Sequence, residues 1–292
     1  MYHQACCKVH SAASLCVVWK EKYLSNEKSK AILHFAHANG FPASSYNKVF
    51  SSLQEEYKVI AVNKFGHTPR FPVSQNWSNQ VTELTEYVED RSAGPVFAVG
   101  HSFGGVVSYM AACARPELFK GLIMLDPPIV TGLSRFLFRI CKYTPFIDRL
   151  TPAGKTAKRC NKWDKNADIA AYFKIRALFK NMDPDCIKDY VNGVMELQGD
   201  HYRLNFKPEV EANIFRNVPH NINRFYGKLQ CPALLVTGEH TTVCTPELIA
   251  PFIRANKLEH QVLAGGGHMF PLEKPEETAS LIRHTLALWQ RQ

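Results

Sequence analysis

The sequence predicts an α/β protein: a mostly parallel central sheet with helices on both faces, interrupted by one helical insertion. Three observations lead there. Short apolar runs alternate with helix-period patterns over the first 130 residues, the rhythm of strands joined by crossover helices. Those runs are apolar throughout rather than at every second position, as strands buried on both faces must be. The rhythm lapses over residues 131–225 and then resumes. Residues 1–130 and 226–292 are therefore expected to form one core, and 131–225 a helical cap or lid.

Residues 31–35 (AILHF) are the first expected strand, followed by a loop over 37–44. Residues 57–62 (YKVIAV) are the second, ending at a turn that holds Gly66 and Pro69. Val81, Leu84, Tyr87 and Val88 keep a helical period across 78–89, with Ser78 or Asn76 as the cap. Residues 95–99 (PVFAV) form a strand running into Gly100. A helix over 106–114 stops at Arg115-Pro116, because a residue before proline resists the helical conformation. The strand 122–125 is halted by Asp126-Pro127-Pro128. Within the insertion no strand pattern stands out, while 134–143 and 167–180 read as helical. Strands return at 231–237 and 260–263, a helix follows Pro246, and a last helix spans 275–289.

Composition narrows the class. With 292 residues, 46% hydrophobic and 21% charged, the chain can bury a full core without disulfides or metal. No apolar run approaches the roughly 18 residues of a membrane span. The apolar stretch 12–19 is short, is followed by Lys20, Glu21 and Lys22, and has no small-residue cleavage site, so no signal peptide is expected. Nine cysteines without paired spacing suit reduced thiols and a cytoplasmic location. The net charge is +9, and residues 131–180 alone carry twelve basic side chains against Asp148, Asp164 and Asp168. That stretch equals the excess of the whole chain. It reads either as a solvated helical face or as a surface for an anionic ligand or membrane. Nucleic acid is not expected, since no zinc-finger spacing, RRM signature or heptad-linked basic region accompanies the charge.

The strongest chemical signal is Gly100-His101-Ser102-Phe103-Gly104-Gly105, after an expected strand and before an expected helix. A sharp strand-to-helix turn leaves its apex side chain exposed, and flanking glycines remove the Cβ atoms that would clash there. Ser102 is the expected nucleophile. On this motif the sequence resembles the α/β-hydrolase fold superfamily, in its serine hydrolase, esterase- or lipase-like branch, over nearly the whole chain. The loop His37-Ala38-Asn39-Gly40-Phe41-Pro42 resembles that superfamily's HGFP-type oxyanion loop, with Asn39 where histidine is commoner. The resemblance implies Phe41 and Phe103 as backbone donors to an oxyanion. Gly66-His67 resembles a turn that is structural in the family, with Asn63 for its usual aspartate, so His67 is given no role.

His268, in Gly265-Gly266-Gly267-His268, follows the last expected strand and is the expected base. The acid is open. The family usually carries aspartate three residues after the glycine ending the strand at 231–237, but that position is Thr241. Asp126 is the first candidate and Glu239 the alternative.

A serine, histidine and acid with an oxyanion site imply acyl transfer to water. The expected function is hydrolysis of a carboxylic ester or related acyl substrate through an acyl-enzyme. A C–C hydrolase of dioxo acids on the same triad, or a non-catalytic ligand-binding relative, are the alternatives. No cofactor is expected, since the glycines at 265–267 lack the placement of a dinucleotide fingerprint. His34 and His37 have H-x-x-H spacing without a cysteine or acidic cluster, so no metal is expected either. The expected partner is a small acyl or ester substrate, lipid-like or anionic, with no transmembrane segment and peripheral membrane contact through the basic cap. In 134–143, Phe136, Leu137, Phe138 and Ile140 alternate with Arg135, Arg139 and Lys142. They are suited either to lining an acyl tunnel beneath cationic tips or to packing the cap onto the core.

Overall fold

The computed structural model describes residues 30–291, so the stretch 12–19 lies outside the described residues. Its strands are β1 (Ala31–Ala36), β2 (Tyr57–Ile60), β3 (Val96–His101), β4 (Phe119–Leu125), β5 (Lys162–Asp164), β6 (Met195–Gln198), β7 (His201–Leu204), β8 (Ala233–Gly238) and β9 (Glu259–Leu263). Its helices are α1 (Asn47–Leu53), α2 (Ser78–Glu89), α3 (Phe103–Ala114), α4 (Gly132–Cys141), α5 (Ile147–Leu150), α6 (Ala153–Ala157), α7 (Ile169–Lys174), α8 (Pro184–Val194), α9 (Pro208–Arg216), α10 (Pro246–Asn256), α11 (Phe270–Glu273) and α12 (Pro275–Trp289).

Six strands pair in parallel in the order β2-β1-β3-β4-β8-β9. Alternate residues divide the core in two. Leu33, Phe35, Val99 and Ile123 face the side of α1 and α12, where Phe50 and Ile282 join them. Ala98, Leu122, Met124 and Leu235 face α2, α3 and α10. Each fully buried Leu or Phe contributes roughly 1.5–3 kcal/mol, so both faces of the inner strands are mainly apolar, with buried polar exceptions such as His34 and His101. The chain leaves β1 toward β2 on one side and returns to β3 on the other. The loops after β1 and β3 therefore diverge, opening a crevice at the carboxyl ends of the strands.

Three expectations about local structure are corrected. Residues 131–225 are not wholly helical: β5, β7 and β6 form a separate antiparallel sheet in that order. The signal was present in Met195, Leu197, Tyr202 and Leu204, alternating about Gly199-Asp200, a dipeptide that favours two-residue hairpin turns. The helical reading of 167–180 breaks after α7 into a short 3₁₀ turn at Ala177–Phe179. The start of α2 is capped neither by Ser78 nor by Asn76. Ser74 Oγ accepts the Asn79 N–H at 2.8 Å, and Trp77, at φ 58°, buries its indole and donates Nε1–H to Ile214 O at 2.9 Å.

The described cysteines Cys113, Cys141, Cys160, Cys186, Cys231 and Cys244 are all free thiols. No described helix is long and apolar enough to cross a membrane. Several bonds tie 131–225 to the core. Asp183 N–H donates to Leu272 O at 2.8 Å, and His67 Nε2, turned by its own Nδ1–H bond to Phe65 O, accepts the Lys207 N–H at 3.0 Å.

The turn after β2 rests on Glu83, whose Oε2 accepts the Gly66 N–H at 2.9 Å. Burial pushes this carboxyl up from 4.5 to about 7. The fold therefore favours the protonated form. That advantage is complete below pH 4.5 and is lost as pH rises through about 7. Glu83→Gln keeps an acceptor without the charge. It is expected to match wild type near pH 4 and to gain roughly 1–3 kcal/mol in relative stability above pH 7. Denaturant midpoints across pH 4–9 check this, and a difference independent of pH would refute it.

Candidate active site

At the end of β3 the chain reverses into α3 through Ser102, whose φ of 52° and ψ of −121° lie outside the ordinary L-residue regions. A Cβ on Gly104 would overlap the Ala36 carbonyl, and one on Gly100 would overlap the backbone of Gly104. Only glycine at both positions lets α3 close onto β1 and hold Ser102 at the apex. Ser102 is 9% exposed, so its hydroxyl sits just below the surface.

Next in the sheet, Asp126 ends β4 at a second positive φ, 48°, and is fully buried. Its N–H donates to Val236 O at 2.8 Å. Oδ1 accepts the Gly238 N–H at 3.1 Å. Oδ2 accepts both the Thr241 hydroxyl and His268 Nδ1–H, each at 2.6 Å. His268 then presents Nε2 to Ser102 Oγ at 3.1 Å. A carboxylate can only accept, so the Asp126 contact places the imidazole proton on Nδ1 and leaves Nε2 with a lone pair toward Ser102.

The structure thus brings Ser102, His268 and Asp126 into one hydrogen-bonded line. Glu239 is not part of it: this exposed side chain accepts the Gly265 N–H at 2.7 Å and braces the glycine loop that carries His268. Thr241 was read from the sequence only as a residue unable to carry charge, yet its hydroxyl holds the same Asp126 oxygen that holds His268. The signal available was a hydroxyl at the position where the family usually keeps its acid.

A second chain of bonds, missed in the sequence, runs behind the first. Ala38 N–H donates to Tyr46 Oη at 3.1 Å, and Tyr46 Oη–H donates to His101 Nδ1 at 2.7 Å. His101 Nε2–H donates to the His268 carbonyl at 2.9 Å. Carbonyl oxygen fixes the direction, because it demands a donor at Nε2. Burial first, and the neighbouring His268 second, push His101 down to about 3, so it is neutral. This chain fixes the loop after β1, the strand-to-helix turn and the His268 loop relative to one another.

In the loop after β1, His37 donates Nδ1–H to Ala38 O at 2.8 Å and accepts the Phe65 N–H at Nε2, 3.1 Å away. Burial holds it down to about 4. His37 is thus a bolt between loops, while the fully buried His34 lies edge-on to Tyr87. Of the two expected oxyanion donors, Phe103 heads α3 and has no intrahelical acceptor for its N–H. The Phe41 N–H donates to Ala38 O at 3.1 Å, closing a turn in which Gly40 has φ 82°. A Cβ on Gly40 would meet Glu211 Oε1 at 2.8 Å. Glu211 in turn takes Asn39 Nδ2–H on its carbonyl at 3.0 Å and pairs with Arg159 at 2.9 Å. The Phe41 ring packs on Phe179 and Tyr190, with centroids 5.4 and 5.0 Å away.

Comparison with known proteins agrees with this architecture. The model of the alpha/beta hydrolase family matches residues 35–281, and the chain belongs to that family. The lipase LipV of Mycobacterium tuberculosis is 33% identical over 106 residues, which cover 36% of this chain and 40% of that lipase. The Karrikin insensitive 2 receptor IA of Petunia hybrida is 22% identical over 89% of this chain and 91% of its own. Among solved structures, E-2-(acetamidomethylene)succinate hydrolase superposes with a TM-score of 0.73 at 19% identity, over 89% of this chain and 92% of that one. That last likeness is one of fold.

The tautomer chain makes a direct prediction. His101 is expected to remain neutral with its proton on Nε2 from pH 5 to 9, seen as imidazole ¹⁵N shifts that do not titrate. Tyr46→Phe removes the donor to Nδ1 and the acceptor for Ala38 N–H, and should cost roughly 1–3 kcal/mol of stability. A titrating His101 signal in that pH range would contradict the assignment.

Proposed function

We propose that the protein is a serine hydrolase that cleaves a carboxylic ester or related acyl bond through an acyl-enzyme. The observation that carries this reading is the continuous line from Asp126 Oδ2 to His268 Nδ1 at 2.6 Å and from His268 Nε2 to Ser102 Oγ at 3.1 Å. In this reading Ser102 Oγ attacks the carbonyl carbon and passes its proton to His268 Nε2. The carbonyl oxygen becomes an alkoxide facing the N–H groups of Phe103 and Phe41. His268 returns the proton to the leaving alcohol as the C–O bond breaks. Water then repeats the sequence on the acyl-enzyme and frees Ser102. Asp126 stays ionised throughout, orienting the imidazole and stabilising its cation.

Residues 131–225 act as a cap in this reading. The packing of Phe179 and Tyr190 against Phe41, and the Asn39–Glu211 bond, support a cap that forms one wall beside the oxyanion loop. A lipid-like or anionic acyl substrate suits a cap with this excess of cationic side chains, and the cap would meet a membrane only peripherally. The same machinery acting on a dioxo acid is the second reading, favoured by that cationic excess. Matched panels of acyl esters and dioxo acids separate the two.

Labelling by an alkyl fluorophosphonate at Ser102 tests the hydrolase reading against a binding role; a chain that neither labels nor turns over any aryl ester is not a serine hydrolase. Ser102→Ala and His268→Ala are each expected to lower kcat by several powers of ten, with the double variant scarcely worse than either. Independent, multiplying losses would argue against a shared mechanism.

The acid is tested separately. Asp126→Asn removes the charge and disturbs the tautomer, and is expected to cost on the order of ten-thousand-fold in kcat. Glu239→Gln should lie within a few-fold of wild type. The reverse ranking at equal thermal stability would sink the assignment.

A further inference from the structure

Helix α4 was expected either to line a tunnel or to pack the cap on the core; one face of it packs on the core, while Phe136, Leu137 and Ile140 face outward. Phe138 packs on the core beside α3, Cys141 is buried, and Lys142 reaches inward to Asn76 Oδ1 at 3.0 Å. Burial depresses the Lys142 ammonium to about 8. With that face anchored, Phe136, Leu137, Ile140 and Tyr143 are left 57%, 53%, 58% and 69% exposed. Phe146 and Leu150, in and beside α5, continue the patch at 51% and 38%. Of the eleven large hydrophobic side chains exposed among the described residues, six lie in this one stretch of fifteen residues. A soluble surface scatters such residues singly, so a concentrated patch marks a contact.

The unpaired charge beside the patch is of one sign. Directly after Phe146 a groove of about 1100 Å³ opens between α5 and α6, lined by Arg149, Lys155, Lys158 and Arg216. Its acid, Asp148, is taken by Arg216, whose Nε and Nη2 bond the two carboxylate oxygens at 2.7 Å each. Arg149, Lys155 and Lys158 make no ion pair among the described residues, and all three are exposed. Arg139 stands exposed between Phe136 and Tyr143 on α4 itself.

We propose that α4, with the cationic groove beside it, docks the protein on a membrane surface bearing anionic phospholipids. The exposed aromatic and aliphatic side chains enter the boundary between headgroups and acyl chains, and the groove takes the lipid phosphates. An amphipathic helix with arginine at its margins and Phe, Leu and Ile on its face lies in the plane of such an interface. Cationic residues within a Debye length of an anionic leaflet add the electrostatic part of the affinity. The inference rests on the hydrolase reading only in that the membrane would then be the phase from which acyl substrate is drawn.

Co-sedimentation tests it with full-length Ser102→Ala protein, so that lipid is not consumed and binding is read apart from turnover. Vesicles are phosphatidylcholine alone or phosphatidylcholine mixed with phosphatidylglycerol, each at low and high salt. Partition into anionic vesicles is expected to exceed that into neutral ones by roughly tenfold or more, and to fall as salt rises. Phe136→Asp with Ile140→Asp should abolish binding at either salt. Arg149→Glu, Lys155→Glu and Lys158→Glu together should remove the preference for anionic vesicles and leave thermal stability unchanged. Absent vesicle binding, or binding indifferent to both sets of variants, overturns the proposal. So does a concentration-dependent dimer that disappears in Phe136→Asp while vesicles are ignored, since the face would then join two copies of this chain. Fluorophosphonate labelling of the wild-type protein reports on Ser102 separately, so either reading can fail without the other.

Discussion

How closely α3 lies on β1 sets the geometry of the whole carboxyl end of the sheet. The missing side chain at Gly104 brings the helix against the Ala36 carbonyl, at the point where β1 gives way to the loop carrying Phe41. The same approach fixes the first turn of α3, and with it the direction of the Phe103 N–H and the unusual dihedrals of Ser102. Strain of this kind costs about 1–3 kcal/mol and persists only where neighbours over-determine it. Here they do: Ser102 N–H is bonded to Leu125 O at 2.8 Å, and His101 beside it is held at both ring nitrogens.

Because β4 and β8 are adjacent, their ends can supply the same volume of space from either strand. The carboxylate comes from Asp126 after β4, while the end of β8 and the loop after it contribute only neutral donors, Gly238 N–H and the Thr241 hydroxyl. The charge thus comes from one strand and its neutral donors from the next. A buried carboxylate with several donors stays satisfied without water, which lets the position be fully enclosed.

Most of the sheet was legible in the residues because strands buried on both faces leave uninterrupted apolar runs, and Arg115-Pro116 and Asp126-Pro127 punctuate them. Ser102 and His268 could be placed by their strand-end contexts. The choice between Asp126 and Glu239 could not, since it depends on which strand ends lie side by side, and pairing of β4 with β8 is a long-range fact. The same reason hid Tyr46 and His101, whose partners are 55 and 167 positions away along the chain. The small antiparallel sheet was legible at Gly199-Asp200 and was overlooked among helix-like neighbours. The outward face of α4 was not legible: its apolar residues read as a tunnel lining or as core packing until the structure places Phe138, Cys141 and Lys142 on the inner side.

The bond from Phe41 N–H to Ala38 O has a consequence for discrimination between ground and transition states. If this N–H serves the oxyanion, it is not idle beforehand, and any newcomer must compete with an internal peptide oxygen. An ester carbonyl is a weaker acceptor than a peptide carbonyl and has little to offer in that exchange. An alkoxide, carrying a full charge, forms a bond roughly twice as strong and wins it. The loop would then yield its hydrogen bond only as the tetrahedral species forms, so that the preference for charge is built into a turn rather than into the depth of a pocket.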